Sequence, residues 1–384
     1  MRTPLCDQLG MTLPLFAFTR SPEVVVAVSR AGGMGIQAAI GFTPDELRRC
    51  LDHIEANVGG RPYGVDVVMP SGFVQPDGSK SKAAAMATAE DYHRALPPAQ
   101  VRFLDELLAR YEVPPLPPEA SAALAMTTWT DQVSRRQVEV ALEYPIRLIA
   151  NALGPPPKDV IAQCHERGVK VAALVGSKEH ALKQVEQGVD IIVAQGTEAG
   201  GHCGEIASMV LVPEVVDAVA PVPVIAAGGI GSGRQLAAAL ALGAQGGWAG
   251  SIWLTTVEGQ IDDAVTRKLL RATSSDTVRS RAISGKPARQ LRSTWQEAWD
   301  DPKGPGPLPM PLQFLLTGEA VARIHRYAHE TGRDDLVTSP VGQIVGSMNQ
   351  LRPVADVLAE IQAGFTAACR ALAGDDRSAA EAGA

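Results

Sequence analysis

The sequence predicts an α/β chain folded as a (β/α)8 TIM barrel with helical insertions and a smaller covering subdomain. Eight short apolar runs alternate with helix-patterned segments, and one of them, Asp190–Val193, has the β-branched composition of a parallel strand buried on both faces. Several of the turns leaving these runs are rich in glycine. A chain of 384 residues with 46% hydrophobic and 20% charged content can bury so large a core.

Leu13–Phe18 reads as the first strand, and the helix after it runs to Arg30 with Ser21 at its N-cap and Pro22 at its first position. Ala31–Gly35 caps that helix and enters a second strand ending near Ala39, before a helix opened by Thr43-Pro44-Asp45-Glu46. Gly33-Met34-Gly35-Ile36-Gln37-Ala38 superficially fits the dinucleotide G-x-G-x-x-A pattern. Here, however, the glycines follow a helix and enter a strand, the reverse of the order a Rossmann site needs. Tyr63–Met69 is the third strand, and Asp66 stands inside it where an apolar residue is expected.

From Pro70 to about Pro118 the pattern loosens into an insertion with a polar tract at Gly78–Lys82 and a stiff connector at Pro114–Pro118. A helix over Asp131–Glu143 leads to strands Ile146–Ala150 and Val169–Val175, with Pro157-Lys158-Asp159 opening the helix between them. Ser177 begins the helix before the sixth strand, Asp190–Val193. Pro223–Ala227 is the seventh strand and Gly246–Ser251 starts the eighth, separated by an Ala- and Leu-rich helix from Gly233 to Gly243. The expected domains are a barrel over 1–256 with an insertion at about 70–130, a covering segment of helices and loops over 257–337, and a C-terminal segment over 338–384. That last segment carries an amphipathic helix from Arg352-Pro353 to about Leu372 and a frayed tail.

In such a barrel, ligands lie at the C-terminal ends of the strands. The sixth strand empties there into Ala194–Glu205, a glycine-rich loop that ends in the imidazole of His202. The loop Ala227-Gly228-Gly229-Ile230-Gly231-Ser232-Gly233 leads into a helix N-terminus and offers backbone N–H groups to a phosphate, and Trp248-Ala249-Gly250-Ser251 adds further donors. These loops favour a phosphate-bearing cofactor over two tight turns without a ligand.

The formal charge of −7 and the scattered Lys and Arg residues favour small-molecule partners over nucleic acid or anionic lipid. No apolar stretch reaches the length of a membrane span and no secretory h-region opens the chain. Cys6, Cys50, Cys164, Cys203 and Cys369 are odd in number and far apart, without a C-x-x-C pair, so a reducing cytoplasm is expected. Cys203 receives no role, and His325 and His329, four apart on a helix, read as an exposed face rather than metal ligands. No metal is expected. The sequence leaves the oligomeric state open, a homodimer being one possibility, and does not say whether Trp129, Trp253, Trp295 and Trp299 line a pocket or fill a core.

Four ordered stretches carry a resemblance: Ala31–Gly35, Gln195–His202, Ala226–Ile230 and Ser284-Gly285-Lys286-Pro287-Ala288-Arg289. Together they resemble the nitronate monooxygenase family, formerly the 2-nitropropane dioxygenases, over nearly the full length. The resemblance implies an FMN-binding barrel acting on a small molecule and O2, releasing a carbonyl compound and nitrite. It further implies that Asp66, Gln195, Gly200 and Gly201 meet the flavin, that Gly228, Gly229 and Trp248, Ala249, Gly250 and Ser251 hold its phosphate, and that His202 is the catalytic group. That group either takes the α-proton from a nitroalkane or orients a bound nitronate. An ordinary imidazole pKa near 6.5 suits proton exchange at neutrality.

Two positions depart from the family pattern. Asp66 replaces a common Asn, and Ala17-Phe18-Thr19 replaces Ala-Pro-Met. A carboxylate beside the flavin repels negative charge on the reduced ring unless it is protonated or paired. The alternative reading on the same barrel is a flavin-dependent NAD(P)H reductase of enoyl thioesters carried on acyl carrier protein or coenzyme A. Arg279, Arg281, Lys286, Arg289 and Arg292 would then meet a phosphate, although a solvated face accounts for them equally well. A third reading, a flavin-binding barrel without turnover, leaves His202 unexplained.

Overall fold

The computed structural model describes residues 2–69, 73–74, 80–81, 94, 96–117 and 131–374. Eight parallel strands close into a barrel in sequence order: β1 Leu15–Thr19, β2 Met34–Ala38, β3 Tyr63–Asp66, β4 Leu148–Asn151, β5 Lys170–Val175, β6 Ile191–Gln195, β7 Val224–Ala227 and β8 Gly246–Ala249, with β8 pairing back onto β1. Side chains alternate between the barrel interior, where Ile36, Leu148, Val193 and Ile225 meet, and the layer between barrel and helices, which includes Val65, Ile149 and Ala194.

The helices follow the predicted caps. Ser21 accepts from the Val24 N–H, and Thr43 and Glu46 form a reciprocal capping box. The glycines of the G-x-G-x-x-A match serve packing: a Cβ at Gly35 would stand 2.5 Å from Val25 Cα, so only glycine lets the first barrel helix lie this close to β2.

Two further elements close the barrel; the first was not visible in the sequence, and the second is the C-terminal helix expected after Arg352-Pro353. The short helix Pro4–Leu9 places Leu5, Cys6 and Leu9 in the interior cluster, and Leu5 N–H donates to Gln245 Oε1, which stoppers the N-terminal end of the barrel. At the other side, the helix Val354–Ala373 packs on Gly233–Ala241; a Cβ at Gly233 would lie 2.0 Å from the Phe365 nitrogen.

Outside the barrel, β9 Thr277–Ser280 and β10 Ala288–Leu291 form an antiparallel pair. The helices Pro98–Arg110, Thr294–Asp300 and Leu312–Thr331 surround an aromatic core in which Phe103 meets Trp299 edge-on at 4.8 Å. Trp295 and Trp299 are fully buried in this core, and Trp253 is fully buried in the turn after β8, so all three fill core. Trp129, most of the polar tract and the C-terminal tail beyond 374 lie outside the described residues. No helix among the described residues is long and apolar enough to cross a membrane.

Candidate active site

The site lies at the C-terminal mouth of the barrel. Trp248 lies between Phe16 and Phe18, with ring centroids 6.0 and 6.3 Å away, and these rings fill the interior beneath the mouth. Its indole is therefore part of the floor. Ala249 points outward into the barrel-to-helix layer, and its carbonyl accepts from Trp253 Nε1 at 2.8 Å. Asp66 pairs with Ala38 and Ala150, and Gln195 with Ala227, in the top inward-facing layer. The Gln195 side chain makes no hydrogen bond among the described residues. Asp66 is 2% exposed and its Oδ2 has no partner among the described residues. Burial pushes its carboxyl up to about 7.

His202 does not end a loop, as its sequence context suggested. With Gly201 it forms a two-residue strand that pairs antiparallel with Ala288 and Arg289, extending the β9–β10 sheet across the mouth. This pairing fixes the imidazole against a second element 82 residues away: Nε2 lies 2.7 Å from the Oγ of Ser284, a buried residue. Ser284 Oγ is also near the Lys286 carbonyl at 3.2 Å and the Lys286 N–H at 3.4 Å. Burial, then the Lys286 charge, push the imidazole down to about 4 rather than leaving it near its ordinary value. His202 is therefore uncharged at neutral pH. Desolvation lowers Lys286 itself.

The glycines divide by task. A Cβ at Gly200 would stand 2.7 Å from the Gly342 nitrogen and 2.8 Å from the Val341 carbonyl carbon, so this glycine accommodates the chain itself. Gly201, at φ +72°, faces open space. Gly228 and Gly229 have φ of +99° and +70°, and the N–H groups of Gly229 and Ile230 donate to nothing among the described residues. Ser232 caps the helix that follows, and Gln235 Oε1 holds the Gly231 N–H. Gly250 makes only ordinary contact with Phe18. The Ser251 hydroxyl accepts from the Gly342 N–H at 2.9 Å and so ties the eighth-strand loop to the segment 341–347.

Sequence reasoning missed three participants. Glu198 places both carboxylate oxygens 3.2 Å from the Ser208 N–H, occupying the N-terminus of the helix Ser208–Val219. Gly342-Gln343 crosses the mouth, the Gln343 N–H donating to the Glu198 carbonyl at 2.9 Å. Ser284 was part of a recognised motif, but its partnership with His202 spans too much sequence to be read there.

The five cations of 279–292 do not act together. Arg289 is buried, its Nε donating to the Thr197 carbonyl at 2.8 Å and its Nη1 to Thr277 Oγ1 at 3.1 Å. Arg279 reaches the Cys203 carbonyl and Glu205. These two brace the His202 strand, whereas Arg281, Lys286 and Arg292 are exposed. Cys203 Sγ is 3.4 Å from the Thr197 carbonyl. His325 departs from the expected exposed face: it is half-buried, its Nε2 has no partner among the described residues, and desolvation lowers its pKa.

With this geometry in place, the relatives are informative. The nitronate monooxygenase family profile matches residues 11–364. The Mycobacterium tuberculosis protein "Putative monooxygenase Rv1533" is 46% identical over 94% of this chain and 96% of its own length. A hydroxy-methyl-oxo-octahydroindene carboxyl-CoA dehydrogenase from the same organism is 31% identical over 76% of this chain and 67% of its own. The solved nitroalkane oxidase of Streptomyces ansochromogenes shares 27% identity and a TM-score of 0.76, covering 96% of this chain and 99% of that one. The chain is an enzyme of the nitronate monooxygenase family.

Proposed function

We propose that the enzyme is FMN-dependent and oxidises alkyl nitronates with O2 to a carbonyl compound and nitrite. The residues at the mouth fit a flavin. Gly201 faces open space, Gln195 is unengaged, and Asp66 holds an unpartnered oxygen in the inward layer. The free N–H groups of Gly229 and Ile230, beside a capped helix N-terminus, suit its phosphate. FMN, when bound, takes electrons from the nitronate and delivers them to O2.

The observation that carries the reading is the uncharged His202 held 2.7 Å from Ser284. With the Ser284 proton given to Nε2, which is nearer than the Lys286 carbonyl, the ring proton stands on Nδ1, for which no partner is found among the described residues. An imidazole that protonates only near pH 4 is a poor base at neutrality, because general-base efficiency peaks when the pKa lies near the working pH. It is, however, a good hydrogen-bond donor. His202 thus orients a substrate that arrives already as the nitronate anion, and the Lys286 charge beside it favours that anion. The sequence had left both roles of His202 open; its lowered pKa favours the orienting one.

The relative acting on a carboxyl-CoA substrate supports a second reading, a flavin-dependent NAD(P)H reductase of thioesters, with exposed Arg281, Lys286 and Arg292 available to phosphate. Anaerobic spectra of the flavin-loaded protein separate the two. Bleaching by a nitronate but not by NADPH supports the monooxygenase, and rapid bleaching by NADPH alone overturns it.

A further inference from the structure

A buried carboxyl in a strand interior needs a counterion, a set of hydrogen bonds or a proton. Asp66 has neither of the first two. Among the described residues, neither its Oδ2 nor its other carboxyl oxygen has a hydrogen-bond partner. The neighbouring strands offer no compensation: β2 presents Ile36 and Ala38 and β4 presents Leu148 and Ala150 to the same interior, none of them titratable. On its own strand the preceding inward position is Gly64. Of the titratable groups placed at the mouth, His202 is uncharged at neutrality and Lys286 is charged, and neither contributes to the state of Asp66, which burial alone determines.

We propose that Asp66 works as an uncharged acid that donates a hydrogen bond to the flavin ring when FMN is bound, and that its ionisation weakens FMN binding. The proposal rests on the FMN reading above. In the free chain, the carboxyl loses its proton near pH 7. Bound flavin holds the protonated form, so affinity is full below that pH and declines as pH rises through it. A neutral acid also resolves the conflict between a carboxyl at this position and negative charge on a reduced ring.

The test titrates the full-length, flavin-stripped chain with FMN between pH 5.5 and 9 by fluorescence quenching, comparing wild type with Asp66→Asn. The variant keeps the shape and removes the titration, and its own profile reports the contribution of the FMN phosphate. The expected result is a loss of wild-type affinity across that range, beyond the change in Asp66→Asn, of about tenfold for each unit by which bound flavin raises the carboxyl pKa, and up to about a hundredfold. An infrared band of a protonated carboxyl should also be present in the wild-type holoprotein at pH 6 and missing from the variant. Identical pH profiles, or absence of that band difference, overturn the role of Asp66 and leave the cofactor reading standing. No FMN binding at any pH overturns both.

Discussion

Ser284 Oγ lies 2.7 Å from His202 Nε2, joining the loop after β9 to the strand that β6 feeds. The contact leaves Nδ1 as the only ring nitrogen free to address a substrate. It makes the orientation of the imidazole a property of the β9–β10 sheet rather than of the glycine-rich loop.

Removing this tether should impair turnover without unfolding the protein. Ser284→Ala is expected to lower kcat for a nitronate by about tenfold, the loss of one oriented hydrogen bond of roughly 1.4 kcal/mol, with KM within about twofold. Ser284→Thr, which keeps the hydroxyl, should recover most of the rate. Steady-state kinetics on the three proteins check this, and equal loss in both variants would point to packing instead.

Lys286 lowers the His202 pKa and supplies positive charge beside it. Lys286→Met should raise KM for a nitronate by about threefold to tenfold at low salt, leave kcat nearly unchanged, and shift protonation of His202 to higher pH. Nuclear magnetic resonance of the labelled imidazole reports the shift, and salt dependence of KM should shrink in the variant.

Gly200 and Gly201 are adjacent and should respond differently. Gly200→Ala forces a methyl within 2.7 Å of the Gly342 backbone, so a loss of about 2–3 kcal/mol in stability is expected from overpacking that backbone cannot relieve. Gly201→Ala has open space around its Cβ and incurs only the left-handed backbone cost, about 1 kcal/mol. Denaturant unfolding of the flavin-free proteins distinguishes them.

The raised pKa of Asp66 also carries a stability consequence. Its ordinary value is 3.8 and burial moves it to about 7. The unfolded chain therefore ionises first, and the flavin-free protein loses stability as pH rises from about 4 to about 7, by up to roughly 4 kcal/mol. Asp66→Asn should remove that slope and melt higher than wild type at pH 8. Thermal denaturation of both flavin-free proteins at pH 5 and pH 8 checks this.

Much of the barrel was legible because the strands are short apolar runs and several are followed by helices with a clear start signal; Ser21 and Thr43 announced theirs unaided. Asp66 stood out because a charge in a buried strand breaks the pattern. The barrel stopper Pro4–Leu9 was not legible, since six residues carry too little periodicity. The close approach of Gly200 to Val341 and Gly342 was not legible, because it joins segments more than a hundred residues apart. The state of His202 was misjudged for the same reason: its burial and its Lys286 neighbour exist only once β10 lies beside it. Local chemistry was readable; long-range pairing was not.

The most direct measurement mixes the flavin-loaded enzyme, without oxygen, with either a preformed nitronate or the corresponding neutral nitroalkane, and follows flavin absorbance in a stopped-flow instrument at pH 7. A neutral, donor-type His202 predicts bleaching by the nitronate at least about a hundredfold faster than by the nitroalkane, the general-base contribution being missing. Equally fast bleaching by the nitroalkane, or none by the nitronate, would contradict it.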